Sequence, residues 1–294
     1  MDGFKKIDQA VILMGGRGTR FLPATKAVAK ELFPIANKPA LLYHLEELYN
    51  SGIKKVCLCI SKEKKYTKTF LKRDLKLEKF LANTGKLNIL DDFNKLINNM
   101  KITFKYQGKL NGSGGALYAI RKWANNKPFA LILGDDLCKS NKGNIPAIGQ
   151  LANAYQKTGK CVIGAQAFPM EIIHNYSSII IGKKLFNRCY EMQDIIEKPE
   201  KGKAPSNLVG LARYILTPEI FDEIPKCPRF ANDEIRFTDA VSLLAQKNRA
   251  VCYEFDAKYY DCGNKLEYVK CIIDFALEDT DISEKLKEYL KNLV

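Results

Sequence analysis

A glycine-rich loop directly after an apolar run constrains the fold of this chain more than any other stretch. Residues 10–14 (AVILM) are all apolar, which predicts a short buried strand. The loop that follows, residues 15–30, contains Gly15, Gly16 and Gly18, and glycines let backbone N–H groups approach a ligand closely. A hydroxyl and fixed positive charges stand close to these glycines, at Thr19, Arg20, Lys26 and Lys30. We therefore predict that the loop binds a polyphosphate.

Two better-known phosphate motifs do not fit this loop. The dinucleotide fingerprint needs a third glycine where Phe21 stands, which counts against a nicotinamide-dependent oxidoreductase. A P-loop needs Gly-Lys-Ser or Gly-Lys-Thr at its end, and the sequence contains neither. The remaining structural alternative is a plain glycine turn with scattered surface cations.

The order of the expected elements predicts an α/β fold. A helix is expected to start at Lys38-Pro39-Ala40 and to end at Asn50-Ser51-Gly52, and residues 55–60 predict the next strand. Strand, phosphate loop, helix and strand in this order open a doubly wound sheet. Further strands are expected at 101–107, 128–134, 161–165, 208–216 and 251–255. We predict a Rossmann-like, doubly wound, mostly parallel mixed sheet between helices.

Three segments depart from this regular alternation. Residues 62–100 are charged and periodic, which predicts two or three surface helices inserted between strands. Residues 178–197 predict short antiparallel strands joined at Gly182-Lys183. Residues 264–294 carry Lys, Glu and Leu in amphipathic order and predict a mostly helical end.

Four loops follow apolar strands and are expected to meet at the carboxyl edge of the sheet, at 15–30, 107–115, 134–136 and 197–198. Asp135 stands where a central strand ends, which favours a Mg²⁺ ligand facing phosphates. Asp261 is a second carboxylate able to reach the same ion. Either aspartate could instead cap a turn or a helix, and Asp136 is expected either to be such a cap or to lie behind the metal ligand.

The fuller sequence of the first loop resembles a family signature. The string Gly-x-Gly-Thr-Arg-x-x-Pro-x-Thr-Lys-x-x-x-Lys-Glu, which ends at Glu31, is similar to that of sugar-nucleotide pyrophosphorylases. Residues 19–27 (TRFLPATKA) are most similar to bacterial UTP–glucose-1-phosphate uridylyltransferases, and matches continue through residues 261–265 (DCGNK). The resemblance implies UTP and glucose 1-phosphate as substrates, Mg²⁺ as cofactor and a homo-oligomer, either a dimer or a tetramer.

The resemblance also implies roles for residues that are ambiguous by themselves. The family places Mg²⁺-binding aspartates at Asp135 and, in related thymidylyltransferases, at Asp261. It contacts uracil through a glutamine at Gln107, whose carboxamide suits the imide edge of the base, and through backbone at Gly15, Gly16 and Gly112. A lone Glu-Lys-Pro is usually a turn, but the family uses the positions of Glu197 and Lys198 for sugar hydroxyls and sugar phosphate. Tyr176 and Ser177 fall in the family's sugar pocket.

The proposed chemistry needs charge rather than a nucleophilic side chain. Only two histidines occur, and His44 lies among leucines, so Ser–His and Cys–His mechanisms are disfavoured. A sugar phosphate is already mostly dianionic at neutral pH, with a second pKa of about 6. In-line attack on the α-phosphorus of UTP would then rely on Mg²⁺, Arg20, Lys30 and Lys198 to stabilise charge.

Several positions differ from the family pattern. The usual Gly-Leu-Gly-His is Gly112-Ser113-Gly114-Gly115, the usual Pro-Lys is Ala29-Lys30, the usual Tyr-Gly is Tyr176-Ser177, and Ala212 replaces a glycine. The last two changes lie beside the sugar. Another sugar 1-phosphate, dTTP, or a weakly catalytic regulatory paralogue therefore remain alternatives.

Composition bounds the remaining possibilities. The net charge of +14 comes mainly from dispersed lysines without a dense basic run, so we expect no nucleic-acid partner. The absence of a signal peptide and of an apolar run of about 18 residues predicts a cytoplasmic protein without membrane contact. The nine cysteines lack Cys-x-x-Cys spacing and are expected to be core thiols. We expect a single nucleotidyltransferase domain over 1–294, with a nucleotide-binding core at 8–175, a sugar-binding part at 176–263 and helices at 264–294.

Overall fold

The fold is built on a nine-stranded mixed β-sheet with helices on both faces. The computed structural model describes residues 4–64, 66–108 and 112–293. The strands are β1 (Gln9–Met14), β2 (Pro34–Ile35), β3 (Lys38–Pro39), β4 (Lys55–Ile60), β5 (Lys101–Tyr106), β6 (Phe129–Leu133), β7 (Asp136–Lys139), β8 (Cys161–Ala167), β9 (Ser177–Phe186), β10 (Cys189–Glu197), β11 (Leu208–Leu216), β12 (Ala250–Glu254) and β13 (Lys258–Asp261). The α-helices are α1 (Ala40–Asn50), α2 (Tyr66–Phe70), α3 (Leu75–Asn83), α4 (Asp91–Asn98), α5 (Gly112–Ala119), α6 (Arg121–Ala124), α7 (Ala147–Thr158), α8 (Ile220–Glu223), α9 (Phe237–Gln246), α10 (Lys265–Ala276) and α11 (Ser283–Lys291).

The main sheet has the strand order β5-β4-β1-β6-β11-β8-β12-β10-β9. Strands β5, β4, β1 and β6 are parallel, and β12 is parallel to β8. Strand β11 runs antiparallel to β6 and β8, and β10 runs antiparallel to β12 and β9. The predicted mixed α/β sheet is confirmed, with most of its parallel pairing in the first half of the chain and each antiparallel pair of strands formed by β10 or β11.

Both faces of the sheet are covered, which explains why its central strands are continuously apolar. One core lies between the sheet and helices α5, α6, α8 and α9, and it includes Phe129, Leu131 and Leu244. The other lies under α1 and α7, and it includes Ile12 and Leu45. This doubly wound arrangement fixes the carboxyl ends of β1, β4 and β6 along one edge of the sheet.

The helical insertion agrees with the prediction. Between β4 and β5 the chain forms α2, α3 and α4 with short 3₁₀ turns. The structure also contains α10 and α11 in the predicted C-terminal helical segment. Among the residues that the structure describes, no helix is long and apolar enough to cross a membrane.

Two local predictions are wrong. The strands β9 and β10 meet at residues 187–188, where Arg188 has a φ of 62°, and Gly182-Lys183 lies inside β9. The second glycine cluster was predicted as a loop up to residue 115, but α5 already begins at Gly112. Gly114 lies in that helix. A Cβ at this position would stand only 3.0 Å from the carbonyl oxygen of Ile235, so a larger residue would not fit. Close packing, rather than a need for a loop, explains this glycine.

A short second ladder positions the predicted carboxylates. Strand β7 directly follows the turn after β6, and β13 pairs with it antiparallel. The register places Asp261 opposite Asp136. Asp261 therefore reaches the carboxyl edge of the sheet through β13, an element that the sequence patterns did not indicate.

Candidate active site

The glycine loop leaves β1 and crosses the carboxyl edge of the sheet. Gly18 has a φ of 66°, a left-handed conformation that favours glycine, and the side-chain hydroxyl of Thr25 donates to its carbonyl oxygen at 2.8 Å. Short 3₁₀ turns at Thr19–Phe21, Ala24–Lys26 and Lys30–Leu32 then fold the loop back on itself. The loop thereby returns Lys30 to the base of its own first glycines.

Lys30 contacts the carboxylate of Asp135 across the cleft. Burial disfavours the charged ammonium group, but the negative charge of Asp135 outweighs this and raises the pKa of Lys30. Burial likewise disfavours the charged carboxylate, and the adjacent Lys30 outweighs it and lowers the pKa of Asp135. Both groups are therefore charged at neutral pH.

A second buried ion pair supports the same loop from behind. The Nζ atom of Lys64 donates to both carboxylate oxygens of Glu31, at 2.8 and 2.7 Å. Glu31 is next to Lys30 in sequence and is only 1% exposed. This pair links the start of the helical insertion to the phosphate loop.

Two acidic side chains lie close together beside Lys30. A Cβ built on Gly263 would lie 2.9 Å from Oδ1 of Asp261, 3.2 Å from Nη1 of Arg20 and 3.3 Å from Oδ2 of Asp135, so the two carboxylates are neighbours with the Arg20 guanidinium beside them. The Asp136 carboxylate points elsewhere and accepts a hydrogen bond from the Tyr259 hydroxyl at 2.5 Å. Burial, followed by the charge of Asp135, raises the pKa of Asp136 well above its usual value and raises that of Asp261 as well.

The neighbouring carboxylates of Asp135 and Asp261 fit a Mg²⁺ site in which substrate phosphates supply further ligands. Within residues 4–64, 66–108 and 112–293, no group of three or more His, Cys, Asp or Glu side chains is arranged to hold a metal by itself. Mg²⁺ is commonly held by one or two carboxylates together with substrate phosphates and water, rather than by a full protein cage. Asp135 and Asp261 are the residues that could supply such carboxylates beside the glycine loop.

One cavity at this edge has a volume of about 450 Å³ and opens along the glycine loop. Gln107 is 5% exposed there, and its amide nitrogen donates to the carbonyl oxygen of Gly112 at 3.1 Å. A Cβ on Gly15 would overlap the amide oxygen of Gln107, so the carboxamide is in close contact with the loop at this glycine. The predicted residues that line this cavity are Gly15, Gly16, Lys30, Gln107, Gly112 and Asp135.

The second cavity, of about 410 Å³, lies on the other side of Asp135. The Ser177 hydroxyl donates to Oε2 of Glu197 at 2.7 Å, and the backbone N–H of Lys198 donates to the carbonyl of Tyr176 at 3.0 Å. Lys198 has a φ of 48°, a conformation uncommon for a residue other than glycine, Asn or Asp. The predicted residues that line this cavity are Arg20, Asp135, Tyr176, Ser177, Glu197, Lys198 and Asp261.

The two cavities adjoin at a common wall formed by Asp135, Ser113, Leu133 and Glu234. Gly18 and Thr19 do not line either cavity, although both belong to the loop that borders the first one. Arg20 lies on the side of the second cavity, where its guanidinium donates to the carbonyl of Gly263 at 3.3 Å. The arrangement can hold two anionic ligands on either side of one carboxylate.

The sequence patterns did not indicate that the segment at residues 234–236 borders the two cavities. Glu234 lines both cavities, and Arg236 lines the second beside the ring of Phe230, 3.9 Å from the ring centroid. The Ser113 hydroxyl accepts a hydrogen bond from the backbone N–H of Phe237 at 3.2 Å and fixes this segment to α5. The sequence offers little signal for it, because the segment follows a short helix and 3₁₀ turns rather than an apolar strand.

A glycine-rich loop with nearby cations, two neighbouring carboxylates and two adjoining cavities on a doubly wound sheet are typical of a nucleotide-dependent transferase. The family model described as "Nucleotidyl transferase" matches residues 9–276, so the chain belongs to the nucleotidyl transferase family. The resemblance to sugar-nucleotide pyrophosphorylases found in the sequence is confirmed by this match and by the relatives.

The chain is 39% identical to a UTP–glucose-1-phosphate uridylyltransferase of Staphylococcus epidermidis (strain RP62A), over 98% of this chain and 99% of that protein. Its fold is similar to a crystal structure of UDP-glucose pyrophosphorylase complexed with UDP-glucose, with a TM-score of 0.84 and 31% identity over 92% of this chain and 98% of that one. A UTP-bound UGPase from Acinetobacter baumannii gives a TM-score of 0.89 at 27% identity, over 98% and 100% of the two chains.

Proposed function

We propose that the chain is a UTP–glucose-1-phosphate uridylyltransferase. In this reaction an oxygen of the sugar phosphate forms a bond to the α-phosphorus of UTP, and the bond from that phosphorus to the β-phosphate bridging oxygen breaks. The products are UDP-glucose and pyrophosphate. The names of the similar proteins support this assignment, and the family defines the class of reaction.

The observation that carries the proposal is the common wall of the two cavities. Asp135 borders both of them, with the glycine loop on one side and the Glu197-Lys198 turn on the other. A nucleotide on the first side and a sugar phosphate on the second would meet beside this carboxylate. An in-line displacement needs such an approach from opposite sides of the α-phosphorus.

On the nucleotide side, we assign the uracil to Gln107 and to the backbone at Gly15, Gly16 and Gly112. The carboxamide of Gln107 offers a donor and an acceptor together, which suits the imide edge of the base. Its contact with Gly112 holds it at the mouth of the loop. We assign the phosphates to the rest of the loop, including Gly18, Thr19 and Lys30.

On the sugar side, we assign the hydroxyls to Glu197 with Tyr176 and Ser177, and the phosphate to Lys198. Ser177 occupies one carboxylate oxygen of Glu197 and leaves the other for the sugar. The hydrogen bond from the Lys198 N–H to Tyr176 fixes the turn to the residue before β9, and Lys198 lines the cavity. Arg20 faces the same cavity and would contact the phosphates from the loop side.

Asp135 and Asp261 would hold a Mg²⁺ ion, since their carboxylates are neighbours beside the loop. When bound, such an ion supplies positive charge to the phosphates and orients them for displacement. The chain's own cations, Arg20, Lys30 and Lys198, stabilise the charge that develops on the leaving pyrophosphate and on the transferred group. No proton needs to be removed from the sugar phosphate, because its second pKa is about 6.

The structure contains one sheet that both halves of the site share, which supports a single domain with nucleotide-binding residues at 8–175, sugar-binding residues at 176–263 and helices at 264–294. We further propose a cytoplasmic homo-oligomer, either a dimer or a tetramer. Size-exclusion chromatography with multi-angle light scattering tests the oligomer, and a monomer at micromolar concentration would contradict it.

The proposed function is tested by pyrophosphate release across a panel. UTP and dTTP are each combined with glucose, galactose and mannose 1-phosphates, with and without Mg²⁺. We expect the highest kcat/KM for UTP with glucose 1-phosphate and a requirement for the metal. A higher kcat/KM for another sugar or for dTTP would reassign the substrate. Tight binding of UDP-glucose without turnover would instead identify a regulatory paralogue.

A further inference from the structure

A buried cation below the active site has no direct role in the proposed reaction. Arg213 lies in β11 and is 0% exposed, so a ligand in either cavity would not touch it. Its guanidinium nevertheless has a partner for each of its five N–H groups. Such complete pairing shows which groups this side chain holds in place.

The guanidinium first pairs with Glu47 of α1. The Nε atom lies 3.0 and 3.1 Å from the two carboxylate oxygens, and Nη2 lies 2.7 Å from Oε2. Glu47 also accepts the backbone N–H of Ile148 at 3.1 Å, which connects the pair to α7. The remaining N–H groups of Arg213 donate to the carbonyl oxygens of Asp136, at 3.0 Å, and Ala212, at 3.2 Å, and to His44.

His44 continues this network to the other side of the catalytic turn. Its Nδ1 faces Nη2 of Arg213 at 3.4 Å, and its Nε2 faces the carbonyl oxygen of Gly134 at 3.1 Å. Because Arg213 only donates, Nδ1 accepts and Nε2 carries the proton that is donated to Gly134. Burial, and then the charge of Arg213, lower the pKa of His44 to about 3, so the ring is neutral.

The network therefore ends on the carbonyl groups of Gly134 and Asp136, the two residues that flank Asp135. A buried ion pair gives little net stability compared with apolar packing, so stability alone does not account for these polar groups. We propose that Arg213, Glu47 and His44 are positioning residues that fix the Gly134–Asp136 turn and thereby set the affinity of Asp135 for its metal ion. This inference rests on the proposed metal-binding role of Asp135.

The sharpest test uses two substitutions of His44. Leu fills a similar volume but leaves the Gly134 carbonyl without its partner, whereas the amide nitrogen of Gln can replace Nε2 as a donor. Mn²⁺ binding is titrated by EPR with UTP present and sugar phosphate absent, and UTP alone serves as the blank. Outer groups that orient a metal ligand typically change affinity by about 10- to 100-fold. We expect His44→Leu to weaken Mn²⁺ binding about tenfold and His44→Gln to restore most of it.

Thermal unfolding of each variant separates positioning from folding. Unchanged Mn²⁺ affinity in folded His44→Leu would overturn the inference, and so would an equal loss in both His44 variants. If His44→Leu does not fold, Arg213→Lys takes its place, because the ammonium keeps the charge beside Glu47 but has fewer donors for Asp136. Unchanged Mn²⁺ affinity in folded Arg213→Lys would likewise overturn the inference.

Asp135→Asn is titrated in parallel to distinguish the two proposals. If this variant binds Mn²⁺ as tightly as the parent chain, the metal assignment itself is wrong and the inference falls with it. If Asp135→Asn loses affinity while His44→Leu does not, the proposed function stands and only the positioning role is wrong.

Discussion

The ammonium group of Lys30 contacts the carboxylate of Asp135, although 105 residues separate them in the chain. Lys30 ends the phosphate loop after β1, and Asp135 follows the neighbouring strand β6. The contact holds the loop against the carboxylate proposed to bind the metal. A metal ion would compete with Lys30 for Asp135, and a polyphosphate would compete with Asp135 for Lys30. The ion pair therefore joins the residue proposed to bind the metal to one proposed to bind the phosphates.

We predict that Lys30→Ala lowers kcat strongly without unfolding the protein. Loss of one contact to a developing negative charge typically costs about 3 kcal/mol of barrier, or roughly a hundredfold in rate. Lys38→Ala is the matched control, because Lys38 loses an ion pair with Glu46, at 2.7 Å, on another part of the surface. Steady-state kinetics and circular dichroism check the result. Similar kcat values for the two variants would contradict the role of Lys30.

Asp135→Asn is predicted to abolish metal-dependent turnover, whereas Asp136→Asn is predicted to be much milder. An amide keeps the shape of the side chain but lacks the charge that a hard cation needs. Asp136 instead accepts the Tyr259 hydroxyl, a role that an amide oxygen can still fill. Rates measured over a Mg²⁺ titration separate the two variants. Equal losses would mean that Asp135 has no special place at the metal.

Gly15→Ala is predicted to raise the KM for UTP at least tenfold. A Cβ at this position would overlap the amide oxygen of Gln107 and displace the carboxamide that we assign to the base. Gly108→Ala is the control, since among the described residues no atom outside its chain neighbours lies within 4 Å of a Cβ built there. Initial rates at saturating sugar phosphate give the KM for UTP in each variant. An unchanged value in Gly15→Ala would remove Gln107 from the uracil site.

Changes on the other side of Asp135 are predicted to affect the sugar instead. Lys198→Met should raise the KM for glucose 1-phosphate and lower kcat, because the phosphate that it binds is also the nucleophile. The exposed Lys201→Met, three residues along the same turn, should change neither. Both KM values are measured for each variant. A large rise in the KM for UTP alone would contradict the two-sided arrangement.

Glu197→Gln is predicted to reduce discrimination between glucose 1-phosphate and its epimers. Ser177 already donates to one oxygen of Glu197, and the substitution adds an amide donor where the sugar hydroxyls find an acceptor. A site built around a hydroxyl loses selectivity when its polar partner changes. The ratio of kcat/KM for glucose and galactose 1-phosphates checks this. An unchanged ratio would place the selecting group elsewhere in the second cavity.

Local features of this protein were predictable because they depend on neighbours in the chain. The apolar run before Gly15 predicted β1, and its uninterrupted apolar character predicted a strand covered on both faces. The position of Asp135 at the end of such a strand predicted its place at the carboxyl edge of the sheet, and it lines two cavities there. The helical insertion was also predictable, since its apolar residues recur at the period of a helix.

Other features depended on contacts between distant segments. Gly182-Lys183 suggested a turn, but β9 continues through it because pairing with β10 satisfies its backbone, and the turn forms at Arg188 instead. The glycines after residue 111 suggested a loop, but they lie in α5, which packs closely on Ile235. In both cases the long-range partner outweighed the local preference of glycine.

The sequence by itself determined the class of chemistry: a phosphate loop after the first strand, acidic residues at strand ends and too few histidines for nucleophilic catalysis. Only the tertiary structure decided how these groups meet. The β7–β13 ladder places Asp261 opposite Asp136, and the packing of α5 places Glu234 at the wall between the cavities. The pairing of Arg213 with Glu47 likewise depends on the fold, which brings β11 and α1 side by side. Such pairings are fixed by complementary packing across the whole core, which no local sequence period encodes.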